Sequence, residues 1–381
     1  MDDRPLRVLA VADAQSIHTL RWARRLADRG HALHIVSNRV AVRPADAEGL
    51  HIHDVRTLDA LTRVKGVRRL RFGAAIRNLA RREHIDVMHG HGTAPYAYWG
   101  ALAGFHPYVV SPWGRDVLVD ARREPGKTRA RKAFDAADWV VVNSGAIEDA
   151  AIEAGADPAR ITHILWHTQL AGFGPERGDP AGLRRELGFP DDALVVMSLR
   201  NFQHRTNIDV LVRAFARVAP GHPRARLLLA ARGGETRAQV EQAVADAELG
   251  DRIRLHRVDP DGLPRLAASG DIVVSIANTD SSPSSLLEAM ASGNPLVGGW
   301  CPSIDEWIGP GEGAEMVQPR DQQALAAALD RLLADGALRE RYAERNLRIV
   351  RERVAESAPA MEALYRRLIS EHAERSAGPV S

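Results

Sequence analysis

The sequence predicts two α/β domains, each built on a doubly wound parallel sheet. Three observations carry that expectation. Short apolar runs alternate with helical periodicity through the first half of the 381 residues. A stretch rich in Gly, Pro and Asp follows at 172–192 and reads as a linker. Beyond it the strand–helix alternation restarts, with no repeat of the sequence itself. A chain of this length is expected to hold two domains of ordinary size.

The elements follow in order. Residues 6–11 read as a strand. Residues 16–29 read as a helix, with Ser16 as cap, Ile17, Leu20, Ala23 and Leu26 on one face, and Gly30 as terminator. Strand patterns recur at 32–37, 51–55, 87–89, 108–111 and 139–143, and after the linker at 194–199, 226–230, 253–256, 272–276 and 295–298. Helical patterns at 209–218, 236–247 and 284–291 lie between the later strands, and the chain turns helical and charged after Asp321. The expected boundaries are 1–175 for the first domain, 190–358 for the second and 359–381 for a terminal helix.

Composition narrows the function classes. Hydrophobic residues make up 45% and charged residues 26%, as in ordinary globular proteins. A net charge of +2 argues against a dedicated nucleic-acid binder. The single cysteine, Cys301, makes no intrachain disulfide, which fits a reducing compartment. The N-terminus lacks a cleavable signal pattern, and no apolar run approaches the roughly 20 residues of a membrane span. A cytoplasmic location is expected. Lysine occurs only at positions 65, 127 and 132, so arginine supplies nearly all the basic charge.

The most informative stretch is Asp280-Ser-Ser-Pro-Ser-Ser-Leu-Leu-Glu288, which sets two carboxylates eight residues apart across a polar loop and the start of a helix. A loop opening a helix presents unpaired N–H groups and the positive end of the helix dipole, which suit a phosphate. Here those groups belong to Ser284, Ser285 and Leu286. Ionised carboxylates accept hydrogen bonds from sugar hydroxyls. The same letters fit a second reading, in which Ser285-Leu-Leu-Glu288 is a capping box and Glu288 bonds the backbone rather than a ligand.

Other candidates sit at predicted strand ends. Arg200 follows the strand at 194–199, and Arg205 lies five residues on. Guanidiniums placed there either neutralise a diphosphate or are solvated loop arginines. His89-Gly-His91 ends one strand, and Ser111-Pro-Trp113-Gly114-Arg115-Asp116 follows another. His51-Ile-His53 reads as strand interior or edge, and Asp259-Pro-Asp261 reads as a turn rather than a metal motif. No metal is expected. Basic residues crowd two stretches, one from Arg63 to Arg82 and one from Arg122 to Lys132. Either they form a solvated face or they meet anionic lipid, so peripheral membrane contact is one expectation about partners.

These motifs resemble those of the family 4 glycosyltransferases, retaining enzymes with the GT-B fold: two Rossmann-like doubly wound domains facing across a cleft, the last helix packing back on the first. The likeness spans nearly the whole chain and is most specific in its second half. It implies that Asp280 contacts the donor sugar and Glu288 the ribose of a nucleoside-diphosphate sugar. Asp280 stands where the family usually has Glu, one methylene longer. Arg200 matches the family arginine after the first strand of the second domain. Arg205 matches a family lysine by spacing, although the following Asn-Ile-Asp aligns Thr206 with that lysine.

By the same resemblance His91 faces the donor sugar, with His89 as second candidate. Trp113 and Asp116 fall on a loop lining the acceptor side, where Trp113 either stacks on a sugar or simply packs. Ser16 and His18 belong to a Ser-Ile-His-Thr-x-Arg-Trp opening, where the family often has glycines, and contact acceptor or donor. Gly233 lies beside the nucleotide. Arg257 and Val258 fall where backbone bonds hold the base, Arg257 replacing a family glycine. His167 and Gln169 replace a common Gly and Asp.

The reaction implied is transfer of a sugar, with retention, to a glycan, lipid-linked or small-molecule acceptor, without a cofactor. Two alternatives share the architecture: a nucleotide-sugar epimerase, and a sugar-nucleotide-binding subunit that has lost turnover. A phosphorylase-like enzyme needs a pyridoxal-phosphate lysine in the second domain, and this chain has none there.

Overall fold

The computed structural model describes residues 4–43, 47–58, 68–165, 170, 172–231, 233–278, 284–301, 304, 307–308, 312–354 and 357–377. Contacts group the chain into two units, 1–169 with 356–381, and 170–355.

The first unit is a seven-stranded sheet in the order β3-β2-β1-β4-β5-β6-β7. Its strands are β1 (Arg7–Val11), β2 (Ala32–Ser37), β3 (Leu50–Asp54), β4 (Val87–His91), β5 (Tyr108–Ser111), β6 (Trp139–Val142) and β7 (Ile161–His163). All pairings are parallel. Strands β4 and β5 are buried along their whole length, as expected for a sheet covered on both faces. Strand order reverses between β1 and β4, the position where ligands bind in open α/β sheets.

Helix Ile17–Ala27 covers one face. Ser16 takes its cap position without a side-chain cap bond. Leu20, Ala23 and Leu26 face the core as the periodicity predicts, whereas Ile17 is solvent-exposed. The terminal helix Ser357–Ala377 belongs to this unit. Its Met361, Leu364, Tyr365 and Leu368 recur at helical spacing and enter one core cluster with Leu20, Trp22 and Ala23.

The second unit holds a six-stranded parallel sheet in the order β10-β9-β8-β11-β12-β13. Its strands are β8 (Leu194–Ser198), β9 (Ala225–Ala231), β10 (Ile253–Arg257), β11 (Ile272–Ser275), β12 (Leu296–Gly299) and β13 (Ala314–Val317). Here the order reverses between β8 and β11. Helix Ile208–Val218 buries seven apolar residues against the core, among them Leu211 and Phe215.

The stretch 172–192 corrects the linker expectation. It carries helix Pro180–Leu187, within the second unit. The residues that suggested a linker punctuate that helix instead. Asp179 caps it through Gly182 N at 2.8 Å, Pro180 opens it, and Gly188 closes it in the left-handed conformation.

Histidines on β2, β3 and β4 give the fold a pH dependence. His34 is buried, with Nδ1 3.1 Å from His53 Nε2 and its ring stacked 4.6 Å from His51. Burial first, then the neighbouring imidazoles, lower its pKa to about 4, with Glu83 opposing and Arg7 assisting. Burial likewise lowers His89 to about 3. These groups are neutral in the folded chain, whereas in the unfolded chain they titrate near 6.5. Stability is therefore fully present above pH 6.5 and is lost as pH falls from there toward 4 and below. A melting-temperature profile should decline over that interval, and His34→Asn should flatten part of the decline. A pH-independent melting temperature between 7 and 4 would contradict the assignment.

Candidate functional site

In the second unit the candidate residues gather at the reversal between β8 and β11. Arg200 leaves the carboxyl end of β8 with only 9% of its surface exposed. Its guanidinium donates to Ser285 Oγ at 2.9 Å. Ser285 lies in helix Ser284–Ala291, so a strand-end cation meets a helix N-terminus. The helix begins at Ser284, one residue before Ser285. Leu286 and Leu287 anchor the helix in the core, and Glu288 is buried, 5% exposed. Asp280 lies outside the described residues, as do His167 and Gln169.

Arg205 sits in the turn His204–Thr206, exposed, with Nε donating to Gln203 Oε1 at 3.0 Å. Its carbonyl accepts from Asn278 N at 2.8 Å, which joins the loop after β8 to the loop after β11. Gly233 and Gly234 follow β9 with φ of +143° and +153°. Phe202 N donates to Gly233 O and Thr236 N donates to Phe202 O, each at 3.0 Å, so this turn seats directly on the segment after Arg200. Val258 is buried and donates its N–H to Ala231 O at 3.3 Å, while Arg257 at the end of β10 is exposed. Asp259 and Asp261 form a turn over Pro260–Gly262. Among the described residues, no group of three His, Cys, Asp or Glu side chains is arranged to hold a metal ion.

In the first unit, His91 ends β4 and is buried, 3% exposed. Its ring lies edge-on to Trp22 at 4.5 Å and near Trp113 at 5.4 Å. Burial, reinforced by His89, holds its pKa well below the usual range, so the imidazole is neutral. His89 is a structural tie: Nδ1 lies 2.5 Å from Tyr365 Oη and Nε2 2.7 Å from Ser111 Oγ. Trp113 packs edge-on to His18 at 5.8 Å as well as against His91.

Asp116, expected on the acceptor side, clamps loops with its carboxylate: Oδ2 accepts from Thr93 N at 2.7 Å, and Oδ1 from Trp113 N at 2.9 Å and Gly114 N at 2.7 Å. Burial raises its pKa and these bonds oppose the rise. Ser16 and His18 are half-buried at the start of helix Ile17–Ala27. Asp13, absent from the sequence candidates, pairs with Arg39 at 2.7 Å beside them.

The comparisons agree with this architecture. A family model for glycosyl transferase 4-like proteins matches residues 7–144, and one for glycosyl transferases group 1 matches residues 181–348. The chain belongs to the family 4 glycosyltransferases. It is 27% identical over 383 aligned positions to D-inositol 3-phosphate glycosyltransferase of Stackebrandtia nassauensis, covering 90% of this chain and 84% of that one. It is 24% identical to N-acetyl-alpha-D-glucosaminyl L-malate synthase of Bacillus anthracis, covering 84% and 85%. Among solved structures, sucrose-phosphate synthase from Thermosynechococcus elongatus superposes with a TM-score of 0.76 at 20% identity, covering 97% of this chain and all of that one. The Anabaena protein HepE, solved with UDP and glucose, superposes at 0.74 with 18% identity, covering 98% and 99%. The fold is GT-B.

Glu288 separates a ligand role from a packing role. Glu288→Gln keeps the shape and removes the charge. It is expected to weaken nucleotide binding while shifting the melting temperature little. Lost stability with unchanged binding would make Glu288 a structural acid.

Proposed function

We propose that this glycosyltransferase moves a hexose from a nucleoside-diphosphate sugar to its acceptor with retention at the anomeric carbon. The observation that carries the reading is the Arg200–Ser285 contact at the β8/β11 reversal, which sets a nearly buried cation against a helix N-terminus. Such a pairing matches the charge that develops on a departing diphosphate. The Anabaena neighbour was solved with UDP and glucose, which supports a nucleotide-sugar donor.

The second unit then holds the donor. Arg200, Arg205 and the amides of Ser284, Ser285 and Leu286 take the diphosphate. Glu288 takes the ribose and Asp280 the sugar, while Gly233, Arg257 and Val258 flank the nucleotide. Positive charge from side chains and amides replaces a metal, and no cofactor is involved. In the first unit, neutral His91 hydrogen-bonds a sugar hydroxyl. Ser16, His18 and Trp113 belong to the acceptor side, and Asp116 positions their loop through its backbone bonds. The protein contributes mainly orientation and electrostatics as the sugar–phosphate bond breaks and the glycosidic bond forms on the same face.

The names of two relatives, with malate and inositol phosphate in them, support a small polar acceptor beside the glycan and lipid-linked kinds. No described helix is long and apolar enough to cross a membrane. Peripheral contact, for a protein placed in the cytoplasm, rests on exposed Arg122, Arg123, Lys127, Arg131 and Lys132 beside exposed Val119.

A thermal-shift panel of UDP, GDP, ADP and their glucose, GlcNAc and mannose conjugates, with Mg²⁺ or with EDTA, tests the donor site. A ligand at 100 times its Kd adds about 2.7 kcal/mol. One base should stabilise equally in both buffers. No stabilisation by any nucleotide would sink the reading in favour of a decayed binding protein. Proton NMR of the product would show the donor's anomeric configuration retained, whereas donor interconversion without acceptor would indicate an epimerase.

A further inference from the structure

A polar latch joins the two loops to which the donor reading assigns its most important residues. Asn207 lies two residues after Arg205 and opens helix Ile208–Val218. Its backbone is left-handed, with φ of +51°. That conformation is uncommon for residues with a side chain, and Asn and Asp are the usual ones to adopt it. The side chain is buried, with the residue 3% exposed. Both hydrogens of its amide are committed across the sheet end: Nδ2 donates to Ile276 O at 2.8 Å and to Asn278 Oδ1 at 2.8 Å. Asn278 N returns a bond to Arg205 O at 2.8 Å. Strands β8 and β11 are neighbours, so these three bonds fasten together the segments that leave their carboxyl ends. One segment carries Arg200 and Arg205. The other runs two residues beyond Asn278 to Asp280 and then to the helix that bears Ser285 and Glu288.

We infer that Asn207 is a positioning residue for donor binding. Its amide latches the loop after β11 to the loop after β8, so that Arg200 and Arg205 stand in register with the helix that bears Ser285 and Glu288 before the nucleotide arrives. The latch rests on the donor-site reading given above. It acts through the loops and touches no substrate. The chemistry is directional, because Asn207 donates and Asn278 accepts. The two amide-to-acid substitutions therefore have opposite consequences. Asn207→Asp tolerates the left-handed backbone but turns a donor into an acceptor facing two acceptor oxygens. Asn278→Asp keeps an accepting oxygen opposite Asn207.

The experiment uses the full chain. Isothermal titration with UDP, GDP and ADP identifies the nucleotide that the wild type binds. For that nucleotide, Asn207→Asp is expected to raise Kd on the order of tenfold, the scale of leaving buried acceptors unsatisfied. It should also speed hydrogen exchange at the Asn278 amide. Asn278→Asp should leave both near wild type. If Asn207→Asp does not fold, Asn207→Gly keeps the left-handed conformation, lacks the acceptor clash, and should give the same weakening. A lower melting temperature with Kd unchanged overturns the latch as a positioning device, as does equal behaviour of the two acid variants. A wild type that binds no nucleotide overturns the donor-site reading and the latch with it.

Discussion

Arg200→Ala is expected to lower kcat by on the order of 10²–10³, the scale of removing one preorganised group that meets developing transition-state charge. The expectation rests on placement. Arg200 sits at the end of β8, nearly buried, with its guanidinium on Ser285 at the N-terminal turn of helix Ser284–Ala291. A cation there needs no reorganisation when the diphosphate departs. Desolvation makes it count for more than a surface charge does. Because Arg200 also bonds Ser285, the melting temperature should be measured alongside the rate. A structural role alone would lower stability and spare turnover of the folded fraction. Arg200→Lys keeps the charge but loses the planar fork, and should fall between wild type and alanine. A near-wild-type rate for Arg200→Ala would remove Arg200 from the site.

Gly234→Ala is expected to be the most damaging small substitution in the second unit. A Cβ at position 234 would lie 1.9 Å from Phe202 O and 2.4 Å from Phe202 C. Backbone atoms of the segment after Arg200 cannot move aside cheaply, and φ of +153° disfavours a side chain in any case. Overpacking plus backbone strain should cost about 3 kcal/mol or more. For a unit of this size that lowers the melting temperature by roughly 6–12 °C. Gly233→Ala is the control. Its φ is also left-handed, at +143°, but the added Cβ meets nothing within 4 Å. The difference between the two variants isolates the collision with Phe202. Equal melting temperatures would mean that the turn yields and that the seating of Gly234 on Phe202 is not rigid.

Much of the fold is legible in the sequence because buried parallel strands are short apolar runs, and β4, β5, β8 and β11 are read at nearly their true limits. What escapes the sequence has identifiable causes. Helix Pro180–Leu187 is hidden because its Asp179 cap, Pro180 start and Gly188 stop are the residue types that mark a linker. The partners of His89 and Asp116 come from other segments of the chain. The phenol that engages His89 lies 276 residues away, at Tyr365. Asn207 carries no local sign of its role, since its partner Asn278 is 71 residues distant and the amide bonds form only when β8 and β11 pair. Arg200 stands out in the sequence because a strand end before a helix is itself a recognisable place.

In the proposed reaction the second unit binds a nucleoside diphosphate through Arg200 without metal. Titration of UDP, GDP and ADP into wild type and Arg200→Ala, both in EDTA, tests it most directly. At least one nucleotide should bind the wild type, with affinity lost by on the order of tenfold or more in a folded Arg200→Ala protein, as expected when one charge-assisted contact of about 1.5–3 kcal/mol is removed. Equal affinity for the two proteins, or binding that appears only when Mg²⁺ is restored, would contradict it.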